Sequence, residues 1–217
     1  LRVLAVATDA AEMELFANEE SNKTVENDTL KHLFLAAQFE RTTVEIVARD
    51  ESGDTASISF YFVVNPQITI APLPDDVRDG INIAGDDVTL VLHAPHKDFV
   101  YVIGDFNNWQ EDSTFFMKRT PDSQRYWVRM NNLESTQDYR YQYLVDGSLR
   151  IADPYTELVL DPIHDAFIDV ETFPDLPPYP FEQTTNTVSV LQIENEYEWQ
   201  ATDYERPPKE NLIIYEL

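Results

Sequence analysis

Apolar and polar residues alternate in a series of short segments with a period of two, the spacing of a half-buried strand. The pattern predicts strands over residues 1–8, 12–17, 42–48, 55–64, 87–94, 99–103, 115–119, 125–130, 139–145, 149–152 and 167–170. Residues 18–28 are polar, dominated by Asn and Glu, and predict a loop. Residues 30–39, LKHLFLAAQF, are rich in Leu, Ala and Lys, and fit either a strand or a short helical turn. The turns between runs carry the residues that turns need. One is Arg49-Asp50-Glu51-Ser52-Gly53-Asp54, and another is the Asp146-Gly147 pair, a strong hairpin signal.

Composition shifts divide the chain. Asn65-Pro66 and residues 71–87, with Pro72, Pro74, several Asp and two Gly, read as a break. Residues 173–182, FPDLPPYPFE, hold too much proline for a sheet interior and read as an extended linker. After it, residues 187–193 and 211–217 are two further strand-like runs. The expected fold is all-β: two tandem Ig-like β-sandwiches, residues 1–66 and 67–172, followed by an extended proline-containing tail, 173–217. About seven short strands in the second unit suit such a sandwich, and the first, with fewer, reads as a small Ig-like unit.

The centre of the chain is the run VYVIGDFNNW, residues 100–109, a strand that enters a Gly- and Asn-rich turn closed by Trp109. It is followed in order by YWVRM, YQYLVDG and the Asp153-Pro154 turn. Taken together, over residues 72–170, this order and spacing resembles the N-terminal β-sandwich of α-amylase-family (glycoside hydrolase family 13) enzymes. These are E-set modules of the starch- and glycogen-binding type related to carbohydrate-binding module family 48. The resemblance implies that Trp109 stacks on a glucose ring, with Asn107, Tyr126 and Gln142 as accompanying carbohydrate-binding residues. The sequence departs from the family's pattern at two places: Gln142 stands where a Lys bonds sugar hydroxyls, and Leu149 stands where a second stacking Trp follows the Asp-Gly turn. Two readings of Trp109 are open: a stacking platform, or a seal on the sandwich edge or against a following domain. Trp127 is expected between the sheets of the sandwich.

The final run, PPKENLIIYEL, is similar to the entry into the first strand of an α-amylase-family (β/α)8 barrel, whose strands are apolar on both faces. On that resemblance the chain is expected to be the region before a barrel, with no catalytic residue of its own. Its intramolecular partner would be the catalytic barrel and its external partner an α-glucan. Localisation outside the cytoplasm is expected from family habit.

Charge supports a neutral ligand. The net charge is −25, with only 15 Lys and Arg, a balance that repels phosphate backbones and anionic lipid. Cysteine is absent, so disulfides, thiolate metal sites and thiol nucleophiles are excluded. No run reaches the length of a membrane-spanning helix. No cofactor or metal is expected. Asp75, Asp79, Gly80 and Asp86 fall at calcium-loop places, but Val77 occupies a ligand place and the last place lacks the bidentate Glu, so this stretch reads as solvated linker. Asp146 and Asp153 read as turn builders. Glu194, Glu196 and Glu198 alternate with Ile193, Asn195, Tyr197 and Trp199 and read as a solvated face rather than a pair of catalytic acids. His32, His93, His96 and His164 show no ligand spacing.

Overall fold

The computed structural model describes residues 1–35, 41–193, 203 and 205–213. Among these the chain is all-β, with short 3-10 turns and no α-helix. The strands are β1 (Arg2–Val6), β2 (Glu12–Ala17), β3 (Glu20–Val25), β4 (Thr29–Leu33), β5 (Arg41–Arg49) and β6 (Thr55–Val63), then β7 (Gly80–Ala84), β8 (Asp87–His93), β9 (Val100–Gly104), β10 (Lys118–Arg119), β11 (Arg125–Met130), β12 (Tyr139–Val145), β13 (Leu149–Ile151), β14 (Leu158–Leu160) and β15 (Val188–Leu191).

In the first group, a two-stranded sheet β1-β4 faces a four-stranded sheet β3-β2-β5-β6. All the pairings are antiparallel. Val3 and Leu30 from the smaller sheet meet Met13, Leu15, Val44 and Ile46 from the larger, and this is the core. Residues 20–25, expected as loop, form β3. Its sequence ESNKTV is exposed or half-buried throughout, so it carries no alternation, and pairing with β2 alone holds it as a strand. Residues 30–33 of the ambiguous stretch belong to β4; residues 36–39 of it lie outside the described residues.

The second group pairs a sheet β10-β11-β8-β7 with a sheet in which β12 runs between β9 on one side and β13 and β15 on the other, with β14 beyond β15. Val88, Leu90 and Leu92 of β8, and Tyr126, Val128 and Met130 of β11, face Val100, Val102, Tyr141, Tyr143 and Val145 across the interior. The back of the second sheet is also covered. Tyr101, Ile103, Leu144, Val188 and Val190 gather there under Trp109, Leu160 and Tyr179. Strands β9 and β15 are therefore buried on both faces, although antiparallel sheets commonly leave one face to water.

The boundary drawn at residue 172 does not follow the sheets. β15 lies beyond the prolines yet pairs with both β12 and β14, so the proline stretch is a loop that leads a strand back into the sandwich. Likewise residues 71–87 are not all linker. Gly80–Ala84 is β7, joined to β8 by a two-residue turn at Gly85 and Asp86, where Gly85 has φ +62°, a left-handed conformation that glycine adopts freely. The predicted strand at 167–170 does not form: Phe167 ends a 3-10 turn, Asp165–Phe167, and 168–170 follow it as irregular chain, with Asp161 and Asp165 side chains accepting from backbone N–H groups before and at the turn. Residues 209–211 also form a 3-10 turn, and 214–217 lie outside the described residues.

Candidate functional site

The turn after β9 is built by its own side chains. Asn107 Oδ1 accepts from Gly104 N at 2.8 Å and its Nδ2 donates to Val102 O at 2.9 Å. These bonds close a 3-10 turn over Asp105–Asn107. Asn108 and Trp109 follow with φ of 52° and 61°. Asn tolerates that region, but a bulky side chain there is strained. The strain at Trp109 is offset by burial. Its indole is 6% exposed, its Nε1 donates to Asp105 Oδ1 at 3.2 Å, and its ring joins the cluster behind the sheet. Asp105 also accepts from Arg140 backbone N at 2.9 Å and from its guanidinium at 2.9 and 3.1 Å. Arg140 in turn donates to Pro178 O at 2.9 Å, which fastens the proline segment over this corner.

The other residues implied by the family resemblance are inside as well. Gln142 is fully buried. Its Nε2 donates to Thr185 O and Thr187 O, both at 2.8 Å, and its Oε1 accepts from Thr184 Oγ1 at 2.5 Å. Tyr126 is fully buried between the sheets and its hydroxyl donates to Lys97 O. Trp127 is buried, but on the outer side of its sheet: its Nε1 donates to Ala71 O at 3.2 Å and Lys118 Nζ lies 4.4 Å from the ring centroid. Asn107, Trp109, Tyr126 and Gln142 thus spend their polar atoms on the protein itself. Trp109, Tyr126 and Gln142 have almost no surface to offer, and no sugar can stack on an indole that is already covered. The expectation that these four form a binding surface is corrected on that ground.

A different aromatic is presented to solvent, and the Asp153-Pro154 turn presents it. Asp153 is buried, and one of its oxygens accepts from both the Tyr141 and Tyr143 hydroxyls at 2.8 Å. Burial is the main force pushing both phenols well above their ordinary range; the Asp153 carboxylate adds to it at Tyr141, and Tyr141 and then Asp153 add to it at Tyr143. The second oxygen accepts from Tyr155 N at 2.8 Å, and Asp153 N donates to Ser189 Oγ at 2.6 Å. This fixes the turn to strands β12 and β15. Tyr155 then leans on β7. A Cβ on Gly80 would come within 2.5 Å of Tyr155 Cβ and 2.6 Å of its Cγ, so glycine is required beneath the ring. Sequence reading passed over this pair, since Tyr155 and Gly80 belong to distant segments; the only local signal was an aromatic directly after an Asp-Pro turn.

Tyr155 is 50% exposed and stands at an open cleft of about 520 Å³. Ile81, Ile83, Val190 and Leu191 supply its apolar lining, and Arg78, Asp79, Glu157 and Gln192 its polar groups. Asp79 is held by Arg125 through two bonds, 2.5 Å from Nε and 3.1 Å from Nη2, and Gln192 Nε2 donates to the Asp138 carboxylate. Asp146, the other turn aspartate, accepts from Asp98 N at 2.8 Å and Phe99 N at 3.3 Å. Asp146 and Asp153 are therefore both turn anchors. Among the described residues no group of His, Asp and Glu is arranged to hold a metal ion, and no helix is long and apolar enough to cross a membrane. The glutamates at 194, 196 and 198 lie outside the described residues.

Comparison with known proteins places the second sandwich. Residues 79–163 match carbohydrate-binding module 48 (isoamylase N-terminal domain). The matched segment runs from β7 through β14, so it includes the Trp109 turn, the Asp153 turn and one wall of the Tyr155 cleft; the module's β15 lies after it. Among solved structures, the chain is similar to a pullulanase from Anoxybacillus sp. LM18-11, with 12% identity and a TM-score of 0.30 over 72% of this chain and 24% of that one. The chain spans about a quarter of that protein's length. No curated protein matches the chain. The matched residues of the second sandwich are thus similar to carbohydrate-binding module 48, and the chain is all-β as the sequence resemblance implied.

Proposed function

We propose that this chain is the non-catalytic N-terminal region of an α-amylase-family glycoside hydrolase, in which the second sandwich binds α-glucan and helps position a catalytic barrel. The observation that carries the reading is the family match over residues 79–163, on a sandwich with an exposed aromatic at an open cleft. The strongly negative charge agrees with a neutral polymer, which is held by ring stacking and hydrogen bonds and pays no electrostatic penalty. The division into a spacer, residues 1–66, and the module after it belongs to the same reading, as does a barrel following residue 217.

A purely structural module that binds no sugar is the second reading, and the burial of Trp109 and Gln142 is the observation that favours it. Electrophoresis in native gels cast with glycogen or amylopectin separates the two. Retardation that grows with polysaccharide concentration supports the binding module. Mobility unchanged at every concentration supports the spacer. Incubation with soluble starch is expected to release no reducing sugar; release would end the non-catalytic assignment.

A further inference from the structure

We infer that α-glucan is held in the cleft at Tyr155 rather than at the Trp109 turn, an inference that rests on the α-glucan reading above and assigns its site. A pyranose ring offers an apolar face of C–H groups and an equatorial fringe of hydroxyls. It therefore needs a flat aromatic with one free face, apolar surface nearby, and planar polar side chains at the edge. The cleft supplies each of these. Tyr155 is backed by the main chain at Gly80, where a Cβ would collide with it, so one side of its side chain is seated while half of the residue stays in solvent. The seat is rigid. Asp153 holds Tyr155 N at 2.8 Å and is itself held by two buried tyrosine hydroxyls, so little freedom remains to be lost when a ligand stacks.

The edge of the cleft suits a polyol better than an ion. Arg78 brings donors, Glu157 brings acceptors, Gln192 brings both, and the negative charge of Asp79 is neutralised by Arg125 at 2.5 Å. Mixed donors and acceptors with partly cancelled charge recognise hydroxyls of either polarity. The volume, about 520 Å³, lies within the usual range for small-molecule sites. The open form of the cleft admits the middle of a polymer as well as its end. The Trp109 corner offers none of this, because the proline segment and Tyr179 lie over it.

The test is isothermal titration of the whole chain with maltoheptaose, comparing the unaltered protein with Tyr155→Ala and Tyr155→Trp. Thermal melting checks that each variant is folded. The expected result is a loss of affinity of about tenfold or more for Tyr155→Ala, as for an aromatic hot spot, with Tyr155→Trp retaining binding. Should Tyr155→Ala melt early, Glu157→Ala, on the exposed edge, provides the second reading of the site and is expected to weaken binding as well. If the unaltered chain binds maltoheptaose and neither Tyr155→Ala nor Glu157→Ala weakens it, the site is wrong while the α-glucan reading stands. If the unaltered chain binds no maltoheptaose and no polysaccharide in the native gel, the α-glucan reading fails and the site with it.

Discussion

Replacing Asp153 by alanine should cost this protein much of its stability. Tyr141 and Tyr143 are fully buried, and the donated hydrogen bond each makes to Asp153 is 2.8 Å long. The variant leaves two buried hydroxyls without their acceptor, at about 1–3 kcal/mol each, and removes the bond to Tyr155 N, worth about 1 kcal/mol more. Relief of the buried charge recovers part of that, so the net loss is about 2–5 kcal/mol. A domain of this kind holds a total of about 5–15 kcal/mol. Urea unfolding followed by tryptophan fluorescence measures it directly. The triple variant Tyr141→Phe, Tyr143→Phe, Asp153→Ala leaves no phenol unpaired, and should be more stable than the sum of its single substitutions predicts. A loss below about 1 kcal/mol for Asp153→Ala, or strict additivity in the series, would refute the idea that one carboxylate anchors both tyrosines and the turn.

Trp109→Ala should destabilise by about 3–5 kcal/mol, since it empties a buried indole site; an unchanged urea midpoint would mean that the ring is not packed there. Gln142→Ala should cost about 2–4 kcal/mol through the unpaired Thr185 and Thr187 carbonyls and the lost side chain, again read from urea curves. The raised pKa values of Tyr141 and Tyr143 set the alkaline limit. Below the unfolded value, about pH 10, both states are protonated and the stability is fully present. Above it only the unfolded state ionises, so stability falls by about 1.4 kcal/mol per pH unit for each such tyrosine. Tyr143→Phe should lower the slope of stability against pH between 10 and 11.5 by that amount, and an unchanged slope would count against a buried neutral phenol. Gly80→Ala forces a Cβ to within 2.5 Å of Tyr155 at a φ of +93°, and should lower both the melting temperature and the affinity for maltoheptaose; a melt and an affinity equal to those of the unaltered chain would show that the ring does not rest there.

How far the fold could be read from sequence varied with what each strand buries. Strand β5, which buries Val44 and Ile46 in alternation, was clear because pleated geometry imposes a period of two, and β6 was clear from its branched and aromatic residues although its side chains stay largely exposed. β3 was missed because an exposed edge strand needs no apolar side chain. β7 was hidden among Asp and Gly residues whose role is to turn into β8. β15 was seen as strand-like but placed in the tail, since the prolines before it suggested departure from the sheet when they form a covering loop. The motif residues illustrate the same limit. Trp109, Gln142 and Tyr126 were legible as members of a recurring pattern, yet whether an aromatic is a platform or a plug depends on what lies over it. For Trp109 the cover comes from residues about 70 positions downstream, Pro178 and Tyr179 among them. Tyr155 needed Gly80, Asp153 and two tyrosines from β12 to become a presented ring, and no local pattern announces such a convergence.

The central claim is that sugar meets this chain at Tyr155 while Trp109 stays sealed. The most direct measurement is the amide and indole N–H spectrum of the labelled protein during addition of maltoheptaose. Resonances of residues 78–83, 155–157 and 190–192 are expected to move while the Trp109 indole signal stays in place. Movement of the Trp109 indole with a silent Tyr155 region would contradict the account.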